Sequence, residues 1–211
     1  MNSATYFNGD LRNQPRFTTA IGALIDGKAN CQGYSDAFYM LGRMLGWNVG
    51  RMGGQAGGDS HLWNTITLKN GKTYCVDVTW GDDAIKYNNR ERTLYSYIYL
   101  NAPMEIMQVT HSWDRSTEPA NLQPSVDENY SYLLFNNLAR VNNVEYGLEL
   151  LAHKIGKEEF KWFSVMTPYD ERYANPQTAA SYFSKYYDGK PWLYDFSFGK
   201  KYLFITVDTF D

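Results

Sequence analysis

The stretch HLWNTITLKNGKTYCVDVTW, residues 61–80, decides the fold, because two runs of alternating character flank Asn70-Gly71, a strong hairpin signal. Loop length then fixes which side chains share a face, since a slip of one residue turns a strand over. With a two-residue loop of Asn70 and Gly71, Lys69 pairs with Lys72 and Asp77 falls on the face of Leu62, Ile66 and Leu68. That register buries a carboxylate among aliphatic groups with nothing to pair it. With a three-residue loop of Lys69, Asn70 and Gly71, Gly71 takes the left-handed bulge position and Leu68 pairs with Lys72. The faces then separate, predicting a core side of Leu62, Ile66, Leu68, Tyr74, Val76 and Val78. The other side carries His61, Trp63, Thr65 and Thr67 with Thr73, Cys75, Asp77 and Thr79. Asp77 stands opposite Trp63, which makes His61 its diagonal neighbour at about 5.5–8 Å between backbone positions, within side-chain reach. A His61–Asp77 couple is the expected result.

Upstream, CQGYSDAFYMLGRMLG (31–46) places Tyr34, Phe38, Leu41 and Leu45 three and four residues apart, predicting an amphipathic helix with these residues inward and Gly46 as its stop. Asn30 is the expected N-cap and Gly27 belongs to the preceding turn. Cys31 then sits in the first turn, where the positive end of the helix dipole and unpaired N–H groups favour thiolate. Each residue also has an ordinary reading. Cys31 suits a small buried hydrophobe, His61 a strand-end surface histidine, and Asp77 a carboxylate bonded to local backbone or threonine donors. Together they supply the nucleophile, the base and the group that orients the base.

ALIDGKANCQGYSDAF (23–38), GGDSHLWNTI (57–66) and TYCVDVTWGD (73–82) follow one another in an order that resembles the transglutaminase-like superfamily, a bacterial papain-like group. Its members carry a Cys-x-Gly-Tyr nucleophile segment, a His-x-Trp-Asn strand and an Asp-x-Thr-Trp strand. The resemblance covers about residues 17–115, and YSYIYLNAPMEIMQVTHSWD (95–114) looks like the tail of such domains. It implies an α+β, papain-like core with the nucleophile helix packed on an antiparallel sheet. It also implies that Cys31 attacks an amide carbonyl, His61 serves as base and then as acid, and Asp77 orients His61. The Cys31 N–H is expected to be one oxyanion donor. Gln32, Trp63, Asn64 and Trp80 are candidates for the substrate pocket or the second donor. The sequence departs from the family in Lys28-Ala29-Asn30 before the cysteine, in Leu62 where alanine is common, and in a short upstream portion.

Elsewhere the signals are weaker. RMGGQAGGDS (51–60) lacks the Lys and Ser or Thr of a phosphate loop and reads as a mobile rim. Tyr34 is assigned to the core. His111 and His153 are expected outside the reacting set. Cys75, on the Asp77 side, is either a small filler or the partner of Cys31 in a disulfide. Asp82, Asp83 and Glu91 fit no calcium loop and read as solvated acids. No metal or cofactor is implied.

The proline-bearing stretch STEPANLQPSVDE (116–128) reads as a connection, dividing a catalytic core at 1–120 from a small C-terminal α/β unit at 121–211. There YSYLLF (130–135), FKWFSVM (160–166) and KYLFITV (201–207) are expected strands, with helices over 144–155 and 176–187, a βαβαβ pattern. The 211 residues carry 44% hydrophobic side chains and 17% aromatic ones, a globular composition rather than a disordered one. A net charge of −3 disfavours nucleic acid as a partner, and no apolar run is long enough for a transmembrane segment. The opening residues show no signal peptide and fit a cut in a longer protein.

The expected function is therefore a thiol-dependent hydrolase that cleaves peptide or amide bonds through an acyl-thioester. Two alternatives stay open: transglutaminase-type transfer from glutamine to an amine, and a non-catalytic protein-binding or cell-surface module. The expected partner is a protein or peptide, with cell-wall or surface material among the options. Localisation is extracellular or cell-surface for a piece of a secreted bacterial protein, and cytoplasmic otherwise. The oligomeric state is not legible.

Overall fold

In a computed structural model, which describes residues 4–82, 85–87, 90–92, 98–126, 138–156, 162–189 and 192–208, the three-residue loop closes the hairpin. Leu68 N–H donates to Lys72 O and Gly71 N–H to Leu68 O, both at 3.0 Å, with Gly71 at φ 75°. The chain divides into two α+β units, Met1–Tyr132 and Leu133–Asp211.

The described elements of the first unit run β1 (Thr5–Tyr6), β2 (Lys28–Ala29), α1 (Cys31–Met44), β3 (Asn48–Ala56), β4 (Asp59–Thr67), β5 (Thr73–Val76), β6 (Ile85–Tyr87), β7 (Arg90–Arg92), α2 (Met104–Met107) and β8 (His111–Ser112). An antiparallel sheet of order β5-β4-β3-β8 is its frame, with Thr65 opposite Cys75 and Ala56 opposite His111. Helix α1 packs on β3 and β4. Asn30 caps it by accepting the Gly33 N–H at 3.1 Å. A Cβ at Gly33 would stand 2.7 Å from the Phe17 carbonyl oxygen, so glycine lets the first turn press against the preceding chain.

The inward face of α1 differs from the one expected. Tyr34 is buried as foreseen, but Leu41 and Leu45 are 44% and 66% exposed, and Gly33, Ser35, Ala37 and Gly42 take the contact. Small side chains bring the helix axis close to the sheet and leave the larger ones outside.

The two strand faces also differ. Tyr74 and Val76 are buried, yet Leu62, Ile66 and Leu68 are only partly so, while Trp63, Asn64 and Thr65 on β4, Cys75 on β5 and Asp77 just after it are buried. Both faces are covered, because α1 lies on the Asn64 side and Trp63 packs edge-on against His111 and Trp113 on the other. The outer edge of β5 is closed as well: Cys75 and Ala102 exchange both backbone hydrogen bonds at 2.8 Å, and Thr73 pairs with 121–123. Residues 121–123 therefore belong to the first unit, and the division falls after Tyr132 rather than at 120. Full burial of Trp63, Tyr74, Ile106 and Met107 contributes roughly 1.5–3 kcal/mol for each large apolar side chain.

The glycine-rich run expected as a mobile rim is strand instead. β3 pairs with β4 over its whole length, and Gly57-Gly58 form the turn between them. A Cβ at Gly54 would collide with the Ser112 carbonyl oxygen, so the glycine there serves the pairing with β8. At the front of the unit, β1 pairs in parallel with β2, and the Phe7 and Phe17 rings meet at 4.6 Å.

In the second unit the elements are β9 (Leu138–Arg140), α3 (Val144–Gly156), β10 (Trp162–Pro168), α4 (Pro176–Phe183), β11 (Trp192–Phe198) and β12 (Tyr202–Asp208), in a sheet of order β11-β12-β10-β9. β9 and β10 are parallel around α3, as a βαβ connection requires, but β11 and β12 are an antiparallel hairpin. The expected βαβαβ pattern missed β11, whose WLYDFSF joins β12 through Gly199 and Lys200, both left-handed. The strand expected at 130–135 lies outside the described residues.

Candidate active site

β4 carries His61 near its start, and the chain after β5 turns at once into a 3-10 turn, Trp80–Asp82, with Asp77 at the bend. This bend holds the carboxylate. Asp77 Oδ1 accepts the Thr79 and Trp80 N–H groups at 2.9 and 3.1 Å, while its own N–H donates to Tyr99 O at 3.0 Å. Asp77 Oδ2 lies 2.7 Å from His61 Nε2. The diagonal couple expected from the register is thus present, with Asp77 2% exposed.

Because Nε2 of His61 is engaged by Asp77, the ring meets Cys31 through Nδ1. Cys31 opens α1, and its sulfur takes hydrogen-bond stabilisation from His61 and from the Leu62 and Gln32 N–H groups. Burial alone would raise the thiol; these donors outweigh it, and the Cys31 pKa falls below its ordinary value. Burial likewise opposes the imidazolium, yet Asp77 and Cys31 push His61 up to about 9. Asp77 is drawn down to about 2 against its own burial by hydrogen bonds from His111 and His61. All three shifts favour a thiolate–imidazolium pair braced by a carboxylate.

His111, expected outside the site, is inside it. β8 places it against Ala56, and its Nε2 lies 3.0 Å from the same Asp77 Oδ2 that serves His61. It is 3% exposed, with Trp80, Trp63 and Tyr99 at ring distances of 5.0, 5.1 and 5.4 Å. Its Nδ1 stands 2.8 Å from Thr110 Oγ1, which lies 3.1 Å from the Tyr99 hydroxyl. Local pattern does not find such a contact across 34 residues; HSWD in the tail was its one signal.

The remaining candidates separate. Trp80 is half-buried, 6.0 Å from the His61 ring and beside Gly57, so it lies against the histidine. Gln32 is exposed at the helix start and contributes its N–H to the sulfur. Trp63 is wholly buried and stacks on His61 at 6.1 Å, so it supports the histidine and offers no face to a substrate. Asn64 is also wholly buried; its Nδ2 donates to Ser35 O and Gly50 O, both at 3.1 Å, tying α1 to the sheet. Both cysteines are free, and burial pushes Cys75 up to about 12, which makes it an inert filler. Asp82 accepts the Tyr34 hydroxyl at 2.7 Å, and Asp83 lies outside the described residues. Tyr6, unremarked in the sequence, stands on β1 within electrostatic reach of Cys31, Asp59 and Asp77, and burial is the largest cause of its raised pKa.

Among the described residues, His61, Asp77 and His111 could hold a metal, with ligand atoms within 4.8 Å of one another. Tetrahedral ligands at about 2.0–2.1 Å from zinc would stand about 3.4 Å apart. The 2.7 and 3.0 Å separations here are those of N–H···O bonds. No family model matches the chain, and no curated protein matches it. No helix among the described residues is long and apolar enough to cross a membrane.

Proposed function

We propose that the chain is a thiol-dependent hydrolase of peptide or amide bonds, with a papain-like core of the transglutaminase-like kind. One observation carries this: Cys31, His61 and Asp77 form an unbroken line in which the thiol is lowered while the imidazole is raised. In this reading the Cys31 thiolate attacks the carbonyl carbon, forming a C–S bond as the carbonyl pair moves to oxygen. The Cys31 N–H at the start of α1 is the donor offered to that charge. The His61 imidazolium gives its Nδ1 proton to the amine as the C–N bond breaks, leaving a thioester. Neutral His61 then takes a proton from water, which attacks the thioester and releases acid and thiolate. Asp77 holds the ring through Nε2 in both half-reactions and keeps its own charge.

The test begins with the rate at which iodoacetamide modifies each cysteine of the reduced protein from pH 4 to 9. Cys31 should label fast, with a midpoint below about 8.5 that is lost in His61→Ala, while Cys75 stays unlabelled. A labelled peptide library with wild type and Cys31→Ala then reads turnover, and a fluorescent amine reads transfer. Cys31 labelling no faster than a free thiol would refute the proposal. Amine incorporation that outpaces hydrolysis would make the chain a transferase, and activated labelling with neither product would leave the binding module.

A further inference from the structure

We propose that His111 is a positioning residue for this chemistry, holding the Asp77 oxygen that also serves His61, with Thr110 and Tyr99 in hydrogen-bonded series behind it. The inference rests on the hydrolase reading of Cys31 and His61 and adds a fourth side chain to it. Asp77 is ionised, so it only accepts hydrogen bonds, and both histidines must present Nε2–H to the one oxygen. Behind it, His111 Nδ1 stands 2.8 Å from the Thr110 hydroxyl, which lies 3.1 Å from the Tyr99 hydroxyl.

The consequence is rotational. Asp77 Oδ1 is fixed by two backbone N–H groups, and Oδ2 is held from two sides. With His111 replaced by an aliphatic group, a buried carboxylate oxygen would lose a donor that no water can reach at 2% exposure. Asp77 would shift to recover it, and His61 would be held less firmly as imidazolium. Among the described residues, the titratable groups that face His111 are Asp77, His61 and Tyr99, and those that interact with Cys31 include His61 and Tyr6.

The test is the pH profile of Cys31 alkylation in the full chain for wild type, His111→Leu, His111→Gln and Thr110→Val, followed by kcat and KM per alkylatable site once a peptide substrate is found. His111→Leu should move the Cys31 midpoint upward and lower kcat roughly tenfold to a hundredfold, the loss typical of a hydrogen-bond partner of a reacting ligand. KM should hold within about twofold, since His111 is buried and touches no substrate. His111→Gln, which restores a side-chain N–H donor, should recover most of the loss. A purely structural histidine would instead reduce the number of alkylatable sites and leave the midpoint and kcat per site unchanged in every variant. That outcome, or His111→Gln indistinguishable from His111→Leu, overturns the proposal. Should His111→Leu fail to fold, Thr110→Val decides: it keeps His111 and removes the hydroxyl that holds its Nδ1, so an unmoved midpoint overturns the proposal. If wild-type Cys31 itself labels as an ordinary thiol, the hydrolase reading falls with it; an activated wild type with unmoved variants removes only the role of His111.

Discussion

The two units bury their sheets in opposite ways. In the second, α3 packs on β10 and β12 while α4 packs on α3 and β11, and the apolar cluster includes Leu148, Leu151, Phe183, Leu203 and Ile205. Its buried polar side chains among the described residues are hydroxyls, such as Ser164 and Thr206, which satisfy each other at 2.7 Å. The first unit buries an ionised carboxylate, an imidazole and an amide: Asp77, His111 and Asn64. Among its described residues, the second unit closes its core without a buried carboxylate or imidazole. A buried charge destabilises unless every lone pair is answered, and replacing such groups by apolar ones is often neutral or favourable. The network around Asp77 is therefore best understood through chemistry and not through stability.

That contrast predicts effects of different kinds. Asp77→Asn keeps the shape of the site but not its charge, and the largest effect is expected there: a fall in turnover of roughly 10³–10⁴, measured on the substrate found by library screening. An unchanged rate would remove Asp77 from the mechanism. Leu148→Ala in the second unit should cost about 2–5 kcal/mol in denaturant unfolding of that unit, because Leu148 is fully buried in the apolar cluster. A cost below about 1 kcal/mol would mean that the cluster does not hold the unit together.

The smallest effect is on pH dependence, and it belongs to the first unit. His61 rises from 6.5 to about 9, so its stabilising contribution is complete below pH 6.5 and is lost as pH rises through about 9. Asp77 falls from 3.8 to about 2, so its contribution is present above pH 3.8 and is lost as pH falls through about 2. Unfolding followed by a probe in the first unit should therefore weaken at both ends, and Asp77→Asn should flatten the acid limb. Identical acid limbs in the two proteins would show that the carboxylate pairing adds nothing to folding.

The part of the site legible in advance was the local part. Asn70-Gly71 sets the loop, the loop sets the register, and the register brings His61 to Asp77 within one hairpin. Asn30 and the first turn of α1 were equally local. What escaped was long-range or made by small groups. His111 reaches Asp77 by way of β8, which no period within a strand or helix foretells. The face of α1 was assigned to Leu41 and Leu45 because hydrophobic spacing weights large residues, whereas Gly33, Ala37 and Gly42 make the contact. Gly53 and Gly54 read as loop for the same reason, though their lack of side chains is what lets strands close on both sides.

The Leu62 N–H on the Cys31 sulfur sets a pattern of mutational tolerance. A backbone donor survives exchange of its own side chain, so position 62 is free to vary in size, and proline is the one residue that deletes the bond outright. His61 beside it has no such freedom. Two adjacent residues of β4 thus serve one sulfur under different rules of substitution, one free in size and the other fixed in kind.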